Sequence, residues 1–172
     1  EVAVAGVGGD GALRGEDFAA RPGAAHGPAG GHRQRDVAAG EDGEELLTVT
    51  VADDGVGLPD TPHVEAALFG ENGVAKGLSK GKTVVDMSSI APIETKRFAS
   101  EINKLGCDYL DAPVSGGEVG AKAASLTIMV GGPDAAFEKV KPLFEKMGKN
   151  ITLVGGNGDG QTTKVANQII VA

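Results

Sequence analysis

The chain has 172 residues, within the size of one domain and long enough to bury a core. Its 24 acidic against 16 basic residues give a net charge of −8, which excludes a phosphate-coating surface and with it a nucleic-acid partner. The single cysteine, Cys107, excludes an intrachain disulfide and fits a reducing, cytoplasmic compartment. No apolar run approaches the roughly 20 residues that cross a bilayer, and the N-terminus lacks the basic-then-apolar order of a signal peptide. A soluble protein with no membrane partner is expected.

Residues 2–5 read as a buried strand. From residue 6 to 43, 13 of 38 residues are Gly or Pro, a density that sustains neither helical nor strand periodicity, so residues 14–45 are expected to be irregular. From Leu46 short β-branched runs alternate with segments of helical spacing, which is the rhythm of an α/β fold. Strands are predicted at residues 46–51, 83–87, 108–110, 126–130 and 151–154. Helices are predicted at 61–69 and from Pro92 to Gly106, the latter with Ile93, Phe98, Ile102 and Leu105 on one face. Another is predicted from Pro133, burying Phe137, Val140, Phe144 and Met147 and bent by Pro142. Residues 155–160 read as a flexible turn. A helix rich in Val, Ile and Ala begins at Gln161, and its apolar content requires something to pack against.

The first strand leads into Gly6-Val7-Gly8-Gly9-Asp10-Gly11, a G-x-G-x-x-G run. In a dinucleotide loop Gly6 would make the tight turn, Gly8 would bare the backbone to a pyrophosphate, and Gly11 would let helix and sheet pack closely. The amphipathic helix that should open at Gly11 is missing, and a glycine-rich region produces such matches by chance. A competing signature lies at Asp53-Asp54-Gly55-Val56-Gly57, which resembles the D-x-G-x-G box of histidine-kinase-type ATPases. The upstream metal-binding Asn and the downstream lid of that fold are not found in suitable context, and a strand end followed by a Gly-rich turn explains the run equally.

Three later segments carry chemistry. Ser115, Gly116 and Gly117 follow a strand and offer a hydroxyl and free N–H groups to a carboxylate. Lys164 and Asn167 lie one helical turn apart, so a proton donor and an orienting amide face the same way. Asp86-Met87-Ser88-Ser89 ends a strand at the carboxyl edge, where open parallel sheets bind ligands. Each has a plain alternative: a glycine turn, a solvated lysine, and a helix cap before Pro92.

Taken together, the runs Leu58–Glu65, Asp86–Pro92, Asp111–Gly117, Leu126–Gly132 and Lys164–Gln168 resemble the 3-hydroxyisobutyrate dehydrogenase family over residues 56–172, in the family's order and spacing. The likeness is strongest to the branch that reduces 2-hydroxy-3-oxopropionate (tartronate semialdehyde) to glycerate. The resemblance implies a Rossmann-type domain over residues 1–160 that binds NAD or NADP, followed at 161–172 by the start of an interdomain helix. It implies hydride transfer between the nicotinamide and a small hydroxy or semialdehyde acid, with no metal. By motif position, Gly6, Gly8 and Gly11 would face the pyrophosphate, Leu58 and Pro59 would line the cofactor, and Ser89 would approach the nicotinamide ribose. Ser115, Gly116 and Gly117 would hold the substrate carboxylate, Lys164 would act as general acid, and Asn167 would position the substrate oxygen.

Residues 12–55 depart from the family, so the choice between NAD and NADP is not readable. Their composition is what a shifted reading frame in GC-rich DNA would produce, a hypothesis that resequencing the source gene tests. The family's helical domain, which closes the site and forms the dimer, is not found. An inactive cofactor-binding or self-associating module is therefore the alternative to an enzyme.

Overall fold

The computed structural model describes residues 60–71 and 73–171, together with the backbone of three strands at 2–5, 34–37 and 49–52. Strand β1 is Val2–Ala5, β2 is Gln34–Val37 and β3 is Val49–Ala52. After them come helix α1 (Thr61–Phe69), a short 3-10 turn at Val74–Lys76, β4 (Thr83–Asp86) and α2 (Pro92–Lys104). The chain continues through β5 (Asp108–Asp111), β6 (Val114–Ser115), α3 (Gly117–Lys122), β7 (Leu126–Gly131) and α4 (Asp134–Phe144). It ends with β8 (Gly148–Gly155) and α5 (Asp159–Val171).

The eight strands form one sheet in the order β2-β3-β1-β4-β5-β7-β6, with β8 on the other side of β7. Strands β3, β1, β4 and β5 run parallel. Val4 stands beside Val49 on one side and Val85 on the other, so the segment at 2–5 does pair beside the strand that follows Leu46. The β5–β7 and β6–β7 pairings are antiparallel and share one register, Asp111 with Gly131, Val114 with Ile128 and Ser115 with Thr127. Strand β6 is thus the continuation of β5 past the carboxyl edge of the parallel strands. This is the Rossmann-like α/β architecture that the sequence implies.

Period-two alternation splits the core between the two faces of the sheet. Val84 and Tyr109 pack with Val64, Leu68, Phe98 and Ile102 under α1 and α2. Val85 and Leu110, one residue on in each strand, pack with Phe137, Val140, Phe144 and Met147 under α4. The chemistry of the helix starts is equally local. The Asp60 carboxylate accepts the Thr61 N–H at 2.7 Å at the head of α1, and Pro92 opens α2, where a missing N–H costs nothing. Among the described residues no helix is long and apolar enough to cross a membrane.

Four expectations need correction. The stretch read as irregular contains β2, which pairs antiparallel with β3 from Gln34 opposite Ala52 to Val37 opposite Val49. The buried face of α2 is Thr95, Phe98, Ala99 and Ile102, whereas Ile93 is 80% and Leu105 46% exposed. Ile93 precedes Phe98 by five residues, about 140° around a helix, and so cannot share its face. The turn expected at 155–160 is confined to residues 156–158, since β8 runs to Gly155 and α5 begins at Asp159. Finally, α3 and β6 are elements the periodicity did not signal, being six and two residues long.

Candidate active site

The chain leaves β1 for β2 and β3 on one side and returns to β4 on the other, so β1 lies at the point where strand order reverses. Ligands of open α/β sheets bind outside the carboxyl ends of the strands at such a point. Gly6, Gly8, Gly11, Leu58 and Pro59 lie outside the described residues, as does the D-x-G-x-G run at 53–57. Gly6 nevertheless follows directly on Ala5, the carboxyl end of β1, which sits beside Asp86 of β4. Three residues beyond Asp86, Ser89 is exposed at the same edge. Ser89 thus places an accessible hydroxyl at the switch point, the kind of donor that a ligand at this edge can use.

Behind this edge lies a buried polar cluster on the face covered by α2 and α5. The Asp86 carboxylate accepts the Ser88 N–H at 2.9 Å and the Tyr109 hydroxyl at 2.8 Å. Burial raises the Asp86 carboxyl above its ordinary range, opposed by hydrogen bonds from Ser88 and Tyr109. Burial also pushes the Tyr109 phenol well up, helped by the charge of Asp86, so the phenol remains a proton donor. Two strand positions on, the Asp111 carboxylate accepts the N–H groups of Gly158 at 2.7 Å and Gln161 at 3.0 Å. The free amides at the start of α5 are thereby capped from β5, 47 and 50 residues away in sequence. The Asn157 side-chain N–H donates to the Tyr109 carbonyl at 2.6 Å, adding a third tie to the same strand.

Gln161 completes the junction. Its side-chain N–H donates to the Ser88 carbonyl at 2.6 Å, and its side-chain oxygen accepts the Ile90 N–H at 3.2 Å. The exposed Ser89 is bracketed between these two bonds. Glycines permit so close an approach: a Cβ on Gly160 would stand 2.7 Å from the Asp111 carbonyl oxygen and 2.8 Å from its Oδ2.

Lys164 follows Gln161 by three residues, so it lies one turn along the same side of α5. It is half-buried, and desolvation lowers its ammonium below the ordinary lysine value. Asn167, another turn on, is half-buried as well. Ser115 is the last residue of β6, opposite Thr127, and is half-buried. Gly116 and Gly117, at φ +134 and +56, make the exposed bend into α3, a conformation that side chains rarely adopt. Ser115 stands four residues beyond Asp111 along the continued strand, and Lys164 one turn beyond the amide that Asp111 holds.

Sequence reasoning named Ser89, Ser115 and Lys164 but missed what ties them to the fold. In the sequence Tyr109 is only part of a strand, Asp111 the start of a motif and Gln161 the start of a helix. The available signal was a buried-strand carboxylate paired with a glycine-rich helix entry at Gly155, Gly156, Gly158 and Gly160.

Residues 55–156 match the family model of the NAD binding domain of 6-phosphogluconate dehydrogenase. The chain is similar to the 2-hydroxy-3-oxopropionate reductase of Escherichia coli strain K12, with 75% identity over 115 residues, 67% of this chain and 39% of that protein. Among solved structures it is similar to a 3-hydroxyisobutyrate dehydrogenase from Salmonella typhimurium, with a TM-score of 0.60 and 32% identity over 64% of this chain and 39% of the other. A second structure, Psf3 in complex with NADP+ and 2-OPP, shares 35% identity at a TM-score of 0.55 over 57% of this chain and 34% of its own. The chain spans about two-fifths of the length of the curated relatives it matches.

Proposed function

Because the chain belongs to the family of NAD-binding domains found in 6-phosphogluconate dehydrogenase and shared by the 3-hydroxyisobutyrate dehydrogenases, we propose that it serves a nicotinamide-dependent reductase. The substrate we assign is 2-hydroxy-3-oxopropionate, and the product glycerate. The observation that carries this reading is Lys164, a half-buried amine whose proton is loosened by desolvation, one turn from the clamp around Ser89 at the ligand edge of the sheet.

The reduced cofactor, NADH or NADPH, would supply the hydride for the aldehyde carbon and leave as NAD+ or NADP+. The glycine loop at Gly6, Gly8 and Gly11 would hold the pyrophosphate, Leu58 and Pro59 would line the pocket, and Ser89 would face the nicotinamide ribose. The chain's own residues do the rest. Ser115 and the amides of Gly116 and Gly117 receive the substrate carboxylate, which sets the distance of the aldehyde from α5. Lys164 gives its proton to the aldehyde oxygen as negative charge grows there, becoming a neutral amine that water then reprotonates. A lowered ammonium suits this task, since a stronger acid gives up its proton more readily at neutral pH. Asn167 hydrogen-bonds the same oxygen and holds it on the Lys164 side.

Titrating NADH and NADPH into the purified chain by calorimetry should give saturable binding. Replacing Lys164 with Ala should lower tartronate semialdehyde reduction by about 100-fold or more while cofactor affinity changes little. Equal turnover by the variant removes Lys164 from this role, and absence of binding of either cofactor favours an inert or self-associating module.

A further inference from the structure

We propose that Gln161 is a positioning residue: its side-chain amide locks the Ser88–Ile90 bend to α5 and so sets the place of Lys164 relative to Ser89. The inference rests on the reading of Lys164 as the proton donor and names what holds it.

Gln161 is among the largest fully buried side chains of the described core, at 1% exposure, and the only polar one besides the Tyr109 phenol. Burying an amide carries a desolvation cost that an apolar residue of the same length would avoid. The chain recovers that cost at a single place. Residues 88–91 lie between β4 and α2, so their peptide groups have no ladder to join, and Pro92 cannot donate. The Ser88 carbonyl needs a donor and the Ile90 N–H needs an acceptor. The Gln161 amide supplies both, at 2.6 and 3.2 Å, across 73 and 71 residues of sequence. The glutamine amide carries an uncharged donor and an uncharged acceptor side by side at the end of a flexible stem.

The consequence is one of register. An apolar side chain at this position would hold α5 against the sheet with tolerance for sliding or rotation, because dispersion and burial are not directional. Two opposed hydrogen bonds do not tolerate it. The Gln161 main-chain N–H adds a third constraint by donating to Asp111 at 3.0 Å, and Gly158 a fourth at 2.7 Å. Helix rotation, translation and the path of the 88–90 bend are then specified together. Lys164, three residues further, inherits that placement, and Ser89 is held outward between the two bonds. The charged groups around the junction are Asp86 from β4 and Asp111 from β5, each engaged by backbone or phenol donors, Asp159 at the start of α5, which accepts the Gly156 N–H at 2.9 Å, and Lys96 of α2, whose side chain lies against Gly158.

The test uses the whole 172-residue chain. In the unaltered protein the Ile90 amide and the Gln161 side-chain amide protons should exchange with deuterium at least about tenfold more slowly than in an unstructured peptide. Free exchange at either position overturns the proposal without any variant. In Gln161→Met, which keeps length and apolar volume, Ile90 exchange should accelerate by roughly tenfold. Lys164 is followed by carbon-13 dimethylation and NMR titration, its signal assigned by loss in Lys164→Arg. In the unaltered chain it should titrate below its position in urea, and in Gln161→Met it should move back by about half of that difference or more. A folded variant with an unmoved Lys164 titration shows that Gln161 only fills space, and overturns the proposal. If Lys164→Ala retains turnover while Gln161→Met still shifts the Lys164 signal, the general-acid reading fails and the positioning role stands. If Lys164 is required but indifferent to Gln161, the reverse holds.

Discussion

Asp111 receives two backbone N–H groups and is still pushed up to about 6 by burial, with the neighbouring charge of Asp86 acting in the same direction. The hydrogen bonds from Gly158 and Gln161 oppose the rise but do not cancel it. In the unfolded chain the same carboxyl titrates at its ordinary value of 3.8. Between these values the folded state binds more proton than the unfolded state, so the contribution of Asp111 to stability is greatest below the unfolded pKa and is lost as pH rises through about 6. Relative to an Asp111→Asn variant, which does not titrate, the unaltered chain should gain stability as pH falls from 6 towards 4. Urea unfolding of both chains at several pH values checks this, and a constant difference between them refutes it. The motif containing Asp111 was visible in the sequence, but its task was not, because the amides it caps arrive from 47 and 50 residues downstream. Ser89 and Lys164 were legible for the opposite reason: a hydroxyl after a strand and a lysine with an amide at helical spacing are local patterns.

At the level of elements, α5 is seated by interlocking glycines. A Cβ on Gly131 of β7 would meet the Gly156 carbonyl oxygen at 2.6 Å and Asp111 Oδ1 at 2.7 Å, and one on Gly160 would meet the Met129 carbonyl oxygen at 2.5 Å and the Asp111 carbonyl oxygen at 2.7 Å. These neighbours are backbone or a fixed carboxylate and cannot move aside cheaply. Gly160→Ala should therefore destabilise the chain by about 1–3 kcal/mol and expose the α5 amides to exchange. Thermal unfolding with amide exchange measures both, and a variant as stable as the parent shows that the junction is softer than the geometry requires. Helix α1 was predicted with its bounds, because Asp60 and Pro62 mark its start in the sequence itself. Helix α4 buries Phe137, Val140 and Phe144 as its spacing implied and runs through Pro142 to Phe144, while Met147 is buried just beyond its end. Helix α2 is legible in position and in Phe98 and Ile102, but the rest of its buried stripe is Thr95 and Ala99, which hydrophobicity alone does not mark.

At the scale of the molecule, three of the six large apolar side chains left in water among the described residues lie on α5, with Val165 at 48%, Ile169 at 75% and Ile170 at 84% exposure, and the others stand singly at Ile93, Leu105 and Val119. A contiguous apolar strip of this kind drives association. Sedimentation velocity should show a mass that rises with concentration, and the double variant Ile169→Lys, Ile170→Lys should remain a monomer at the same stability to within about 0.5 kcal/mol. Equal sedimentation of the two chains refutes the role of the strip. The sequence by itself determined the α/β class, most element positions and the candidate reductase motifs, because period-two and helical spacings, capping residues and short motifs are properties of neighbouring residues. Only the tertiary structure decided that β2 joins the sheet, that β6 continues β5 beyond its edge, and that Asp86, Tyr109, Asp111 and Gln161 form one buried polar junction under the ligand edge. Those relations are hydrogen bonds and close approaches between segments far apart in the chain, and they come into being only when the sheet brings those segments together.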